Sequence, residues 1–196
     1  MKRIGIFGGS FNPVHLGHTA LAAYICEQGL VDEVWMMVSP QNPLKQNLDL
    51  LDEQHRLAML QLAVAPYPML QACDFEFHLP RPSYTYHTLQ ALREAYPGHT
   101  FNLIIGEDNW QNFHRWYRSE DISREIPIIV YPRNSSDGLT LRIEGTIRTK
   151  TPQDSTPLFP YSSTEVRNTI AAGESTAKML HPEVEKYIKQ HGFYTK

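Results

Sequence analysis

Two histidines three residues apart, His15 and His18, close the string Gly8-Gly9-Ser10-Phe11-Asn12-Pro13-Val14-His15-Leu16-Gly17-His18. Gly8 and Gly9 directly follow a short apolar stretch and permit a sharp turn and close approach of a ligand to the backbone. A helix starting near His15 would aim its free N–H groups and positive dipole end at the same space, a setting that suits phosphate. At a spacing of three, both imidazoles face one side of the first turn, and Gly17 between them leaves room for a group lying flat on the backbone. Two donors and a bare patch at a helix start describe a triphosphate site better than a core helix. A metal site built on the two histidines lacks a Cys or acidic ligand at suitable local spacing. The string is neither a Walker loop nor a Gly-x-Gly-x-x-Gly fingerprint.

A second anion site is written near the other end. Tyr161-Ser162-Ser163-Thr164-Glu165-Val166-Arg167 reads first as a capping box, with Ser162 as N-cap and Glu165 three residues on. The same hydroxyls, together with Arg167 just inside the helix, converge donors and a guanidinium on one point. Gly106-Glu107-Asp108 ends an apolar stretch; a carboxylate such as Asp108 can accept both hydroxyls of a ribose, and Gly106 lets the sugar approach. Ser83-Tyr84-Thr85, followed by a helix, reads as another N-cap. Trp116 is readable either as a core residue or as a stacking surface. Lys45, at the end of a Pro/Asn-rich loop, is either a solvated lysine or a phosphate contact, and Arg133 follows a strand toward the same crevice.

The eleven-residue string resembles the His-x-Gly-His signature of a nucleotidyltransferase superfamily, and its full form is similar to that of the nicotinate-mononucleotide adenylyltransferases. The resemblance extends through Pro40-Gln41-Asn42-Pro43-Leu44-Lys45, Ser83-Tyr84-Thr85, Gly106-Glu107-Asp108, the Phe113-His114-Arg115-Trp116-Tyr117 continuation and Ser162-Ser163-Thr164 with Arg167. Pro82 and His87 stand where the family more often has Gly and Asp, and Asn134 replaces its usual Pro-Gly continuation. The resemblance implies adenylyl transfer from ATP to nicotinate mononucleotide, with pyrophosphate released, in NAD biosynthesis. It implies His15, His18 and Arg167 as catalytic residues. Gly8, Gly9, Ser10, Phe11, Gly17, Gly106, Asp108, Arg133, Ser162, Ser163 and Thr164 would line the ATP site. Lys45, Tyr84, Thr85, Trp116 and Tyr117 would hold the acceptor, with Trp116 stacked on the pyridine ring and amides near Thr85 receiving its carboxylate. Mg²⁺ is expected to arrive with ATP, with no dedicated protein metal site. Nicotinamide mononucleotide or phosphopantetheine as acceptor, or a non-catalytic nucleotide-binding module, are the competing readings.

These residues need elements to position them, and strand-like and helix-like patterns alternate along the chain. Residues 3–7 read as a buried strand, 8–13 as a loop, 15–28 as a helix stopped by Gly29, and 33–38 as a second strand. Residues 39–51 read as loop, 52–65 as a helix, 69–78 as a strand, 86–95 as a helix and 100–105 as a strand. Loop and short helix follow over 106–117, a strand over 127–131, an uncertain polar stretch over 135–160 in which 139–143 could alternate as a strand, and helices over 164–172 and 182–191. Repeated β–loop–α units predict an α/β, Rossmann-like, doubly wound and mostly parallel sheet with helices on both faces, its ligands at the C-terminal strand ends.

The composition agrees. At 196 residues the chain is expected to form a single domain, 1–196. Hydrophobic residues make up 41% and charged ones 20%, which excludes a disordered chain. A formal charge of −3 argues against nucleic acid as a partner, so an anionic ligand must find its positive charge locally. Met1-Lys2-Arg3 could open a signal peptide, but Gly8-Gly9 cuts the apolar stretch short, and no run approaches a membrane span. Two cysteines, Cys26 and Cys73, are too few for a disulfide framework and suit a reducing, cytoplasmic compartment.

Overall fold

A computed structural model describes residues 1–40, 50–132, 142–144 (backbone only) and 161–195. Its centre is a six-stranded sheet in the order β3-β2-β1-β4-β5-β6. The strands are β1 (Lys2–Gly9), β2 (Glu33–Val38), β3 (Leu70–Cys73), β4 (His99–Gly106), β5 (Ile128–Tyr131) and β6 (Arg142–Glu144). β1 to β5 run parallel, and β6 pairs antiparallel along the outer edge of β5. The helices are α1 (Leu16–Glu27), α2 (Glu53–Val64), α3 (Thr85–Ala95), α4 (Glu107–Gln111), α5 (Ser119–Glu125), α6 (Ser163–Ala171) and α7 (Pro182–His191). The expected doubly wound α/β sheet is present.

Parallel strands covered on both sides read as continuous apolar runs, and β2 shows this, with five consecutive buried residues. Its side chains alternate between two cores. Met36 joins Ile25, Leu60, Val166 and Val184 under α1, α2, α6 and α7. Trp35 and Met37 face the other side, with Leu89, Leu92 and Ile122 of α3 and α5. β1 lies between β2 and β4, so the chain winds outward in both directions from β1 and β4, and sheets of this kind bind ligands at the C-terminal ends of such a pair.

Several sequence expectations change. Gly8 and Gly9 belong to the strand, not the loop, and pair with Met37 and Val38. Glycine keeps both backbone hydrogen-bonding groups, so a buried neighbouring strand extends the ladder through it. The strand expected over 69–78 stops at Cys73, and Phe75–His78 form a 3-10 turn. That turn carries Glu76 inward, where its carboxylate accepts a 2.9 Å bond from the Thr88 hydroxyl. The N-cap of α3 is Tyr84, within the segment expected to cap it, and it makes no side-chain capping bond. α5 was not foreseen: it is short and polar, buries only Ile122, and is pinned by Asp121 to Arg118 and Arg124 at 2.6 and 2.9 Å. β6 falls partly on the stretch where a strand was considered possible.

Candidate active site

Everything at the candidate site hangs on the turn after β1. Phe11 adopts a positive φ of 45° and turns its ring back into the core, edge-on to Phe7 at 5.9 Å. A Cβ at Gly9 would meet the Phe11 ring at 3.0 Å, so this glycine makes room for the ring. A Cβ at Gly8 would meet nothing within 4 Å, so its exposed backbone borders open space.

His15 is the N-cap of α1 and lies just outside the first turn. It is buried, whereas His18 is half-buried. The two rings stack at 3.7 Å with their planes 30° apart, on one side of the helix start as the spacing predicts. The His18 ring also rests edge-on against Phe11 at 5.1 Å. The His15 backbone N–H donates to His18 Nδ1 at 3.2 Å. A nitrogen that accepts carries no proton, so neutral His18 holds its hydrogen on Nε2 and presents that atom as a donor.

The segment 150 residues away closes on this turn. Ser163 Oγ donates to the Pro13 carbonyl at 2.9 Å. The Arg167 guanidinium donates to the Asn12 carbonyl at 2.7 Å and to Thr164 Oγ1 at 3.2 Å. Ser162 and Glu165 form the expected reciprocal cap, at 3.2 and 2.7 Å. Those bonds from Ser162 hold the Glu165 carboxyl below its usual range. The structure thus brings His15, His18, Ser163, Thr164 and Arg167 together. All three hydroxyls already bond within the protein; that of Thr164 is exposed and accepts from Arg167, which leaves its own hydrogen to donate. Gly106 caps α4 at the end of β4, and Asp108 lies exposed in its first turn.

A separate group of rings brings together two of the expected acceptor residues, Tyr84 and Tyr117. Tyr84 and Tyr117 are 5.2 Å apart, His87 is 5.2 Å from Tyr117, and Arg118 lies 4.7 Å over Tyr86. Trp116 is half-buried against Phe113 at 5.3 Å, at the margin of the core. Thr85 is the first residue of α3. Ser83 Oγ is buried and has no hydrogen-bond partner among the described residues. Lys45 and Arg133 lie outside the described residues.

Three residues at the site escaped the sequence reading. Buried Asn12 accepts the Tyr194 hydroxyl at 2.7 Å and the Leu51 N–H at 3.4 Å on its side-chain oxygen. Burial pushes the Tyr194 phenol up from its usual range. Glu76 bonds Thr88 and the Ser39 side chain, so the end of β2 is tied to the start of α3; burial raises its carboxyl. Arg56 on α2 is 1% exposed, and a charged residue in line with Leu60 and Ala63 was the signal available for it. The cysteines are free, and burial raises both thiols to about 11, which keeps them protonated at neutral pH. Among the described residues no cluster of His, Cys, Asp or Glu could hold a metal ion. No helix among them is long and apolar enough to cross a membrane.

A parallel sheet that winds outward from β1, with stacked histidines and an arginine at the turn that follows it, is a doubly wound α/β fold with a cation-rich site at its strand ends. Residues 6–169 match the cytidylyltransferase-like family model, and the chain belongs to that family. Within it the chain groups with the nicotinate-nucleotide adenylyltransferases. It is 49% identical to the "Probable nicotinate-nucleotide adenylyltransferase" of Bacteroides thetaiotaomicron over 189 residues, 96% of this chain and 92% of that protein. Its identity to the protein of the same name from Flavobacterium johnsoniae is 41% over 194 residues, 99% of this chain and 100% of that one. The fold is also that of the Plasmodium falciparum nicotinic acid mononucleotide adenylyltransferase complexed with NaAD. The TM-score is 0.79 at 22% identity, covering 99% of this chain and 98% of that one.

Proposed function

We propose that the protein transfers the adenylyl group of ATP, taken as its Mg²⁺ complex, to nicotinate mononucleotide. A phosphate oxygen of the mononucleotide attacks the α-phosphorus, the bond from that phosphorus to the bridging oxygen breaks, and pyrophosphate leaves. The product is nicotinate adenine dinucleotide. The observation that carries this reading is the stacked His15–His18 pair with its Nε2 donor, closed by Arg167 from α6.

The chemistry asks for two anions held in line and for stabilisation of charge on the transferring group and the departing pyrophosphate. His18 Nε2–H donates to the oxygens between the α- and β-phosphates, and His15 backs it from the N-cap. Arg167, Thr164 and the amides at the start of α6 hold the phosphate tail, while Asp108 takes the ribose. Lys45 and Arg133, outside the described residues, enter this reading as phosphate contacts through the resemblance alone. The Mg²⁺ ion belongs to the nucleotide, and no step is assigned to it.

An acidic pyridine ring suits the second half of the site. The N-terminus of α3 lacks a side-chain cap, and its open amides near Thr85 attract a carboxylate. Tyr84, Trp116 and Tyr117 offer ring faces for the pyridine. The reaction belongs to a reducing, cytoplasmic setting, which two free thiols tolerate. Incubation with ATP, Mg²⁺ and nicotinate mononucleotide tests the reading: the dinucleotide and pyrophosphate should appear in equal amounts. Pyrophosphate without dinucleotide, or no pyrophosphate at all, would overturn it.

A further inference from the structure

Arg56 is a long cation buried to 1% exposure, and the mechanism above does not use it. Its Nε donates to the Leu51 carbonyl at 2.8 Å, and its two terminal nitrogens donate to those of Ser10 at 2.7 Å, Ser39 at 2.8 Å and Pro40 at 3.1 Å. Those four acceptors sit on three separate pieces of chain: the turn after β1, the turn after β2, and the residue ahead of the α2 cap. Turns at strand ends cannot satisfy their own inward carbonyls, and only a planar fork with five N–H groups reaches so many at once. All four acceptors are carbonyls, and among the described residues the guanidinium makes no ion pair, so the side chain acts as a bracket.

What the bracket holds is the platform of the histidines. The Ser10 carbonyl immediately precedes Phe11, whose strained φ of 45° puts its ring against His18. The Ser39 N–H in turn donates to the Gly9 carbonyl at 2.9 Å, so both turns are joined at the level of Gly9 and Ser10. We propose that Arg56 is a positioning residue: its guanidinium fixes the β1 turn against the β2 turn and so sets where His18 stands over the nucleotide. Its consequence for rate rests on the adenylyl-transfer reading; its consequence for the loops does not.

The test uses Arg56→Lys, which keeps the charge but not the fork, and Val64→Ala, a cavity further along the same helix, as a control for stability alone. Steady-state rates with ATP and nicotinate mononucleotide are measured alongside amide hydrogen exchange of the ligand-free proteins. Arg56→Lys should lose about 10²-fold in kcat, the scale expected for a misplacement near 1 Å, while its melting temperature stays close to that of Val64→Ala. It should lose exchange protection at Ser39 and Leu51, whose amides bond Gly9 and Asn12, and keep it at Leu103 inside the sheet. Rates within threefold of the parent with unchanged exchange would overturn the proposal. So would equal rate loss in Val64→Ala, or protection lost uniformly across the sheet, since each makes Arg56 a stability residue only. If the parent itself proves inactive, the function proposed above falls, and the exchange pattern still decides the role of Arg56.

Discussion

Replacing His18 by alanine separates catalysis from packing at one residue. The side chain does three structural things: it stacks on His15 at 3.7 Å, leans edge-on to Phe11 at 5.1 Å, and accepts the His15 N–H at 3.2 Å. A capping bond of this kind contributes about 1 kcal/mol to a helix start. An aromatic pair adds about 0.5–1.5 kcal/mol. For a half-buried ring the sum is about 2 kcal/mol, and at roughly 2–4 °C per kcal/mol in a chain of this size the melting temperature should fall by about 4–8 °C. The catalytic loss should be larger. A positioned histidine contributes roughly 10²–10⁴-fold to rate, which is about 2.7–5.5 kcal/mol of barrier. A donor that acts mainly in the transition state leaves nucleotide affinity nearly intact when removed. The assay is steady-state pyrophosphate release with calorimetric ATP binding on the same sample, well below the lowered melting temperature. His18→Ala should bind ATP within a few-fold of the parent and turn over at least 10²-fold more slowly. Turnover within threefold, with the melting shift present, would refute the reasoning and leave His15 and Arg167 as the candidates.

Other substitutions probe the acceptor side and the scaffold. Trp116→Ala should weaken use of the mononucleotide by about 1 kcal/mol, roughly fivefold in KM, with ATP binding unchanged; equal weakening of both would make Trp116 a core residue. Burial raises the Glu76 carboxyl above its usual 4.5, so the folded state binds the extra proton and stability should fall as pH rises from that value through the raised one. Glu76→Gln should flatten that slope in denaturant titrations across pH, and an unchanged slope would assign it elsewhere. Tyr194→Phe removes the hydroxyl that bonds Asn12 at 2.7 Å and should cost about 1 kcal/mol by the same titration at neutral pH.

What the sequence made legible was local. The His15–His18 stack follows from a spacing of three on one helix start, and the Ser162–Glu165 cap from a four-residue pattern. The alternation of strands and helices was readable because strands such as β2 and β5 are continuous apolar runs. What was hidden depends on contacts between distant segments. Arg167 meets Asn12 across 155 positions and Tyr194 meets the same residue across 182, and no periodicity encodes either. Arg56 was hidden by its type, since an arginine on a helix usually faces water. The 69–78 stretch misled because Phe75 and Phe77 continue an apolar alternation, while Glu76 between them is bound inside the protein to Thr88. The paired glycines Gly8 and Gly9 suggest a loop, and the ladder with Met37 and Val38 keeps them in the strand.

The central claim is that this crevice joins ATP to an acidic pyridine mononucleotide. The most direct measurement compares kcat/KM for nicotinate mononucleotide, nicotinamide mononucleotide and phosphopantetheine with the same enzyme, ATP and Mg²⁺, following pyrophosphate. On the proposed reading, the uncapped start of α3 receives a carboxylate on the ring, and Tyr84, Trp116 and Tyr117 receive a pyridine rather than a pantetheine chain. Nicotinate mononucleotide should therefore give the highest value and phosphopantetheine none above background. A higher value for either of the other acceptors would contradict the account.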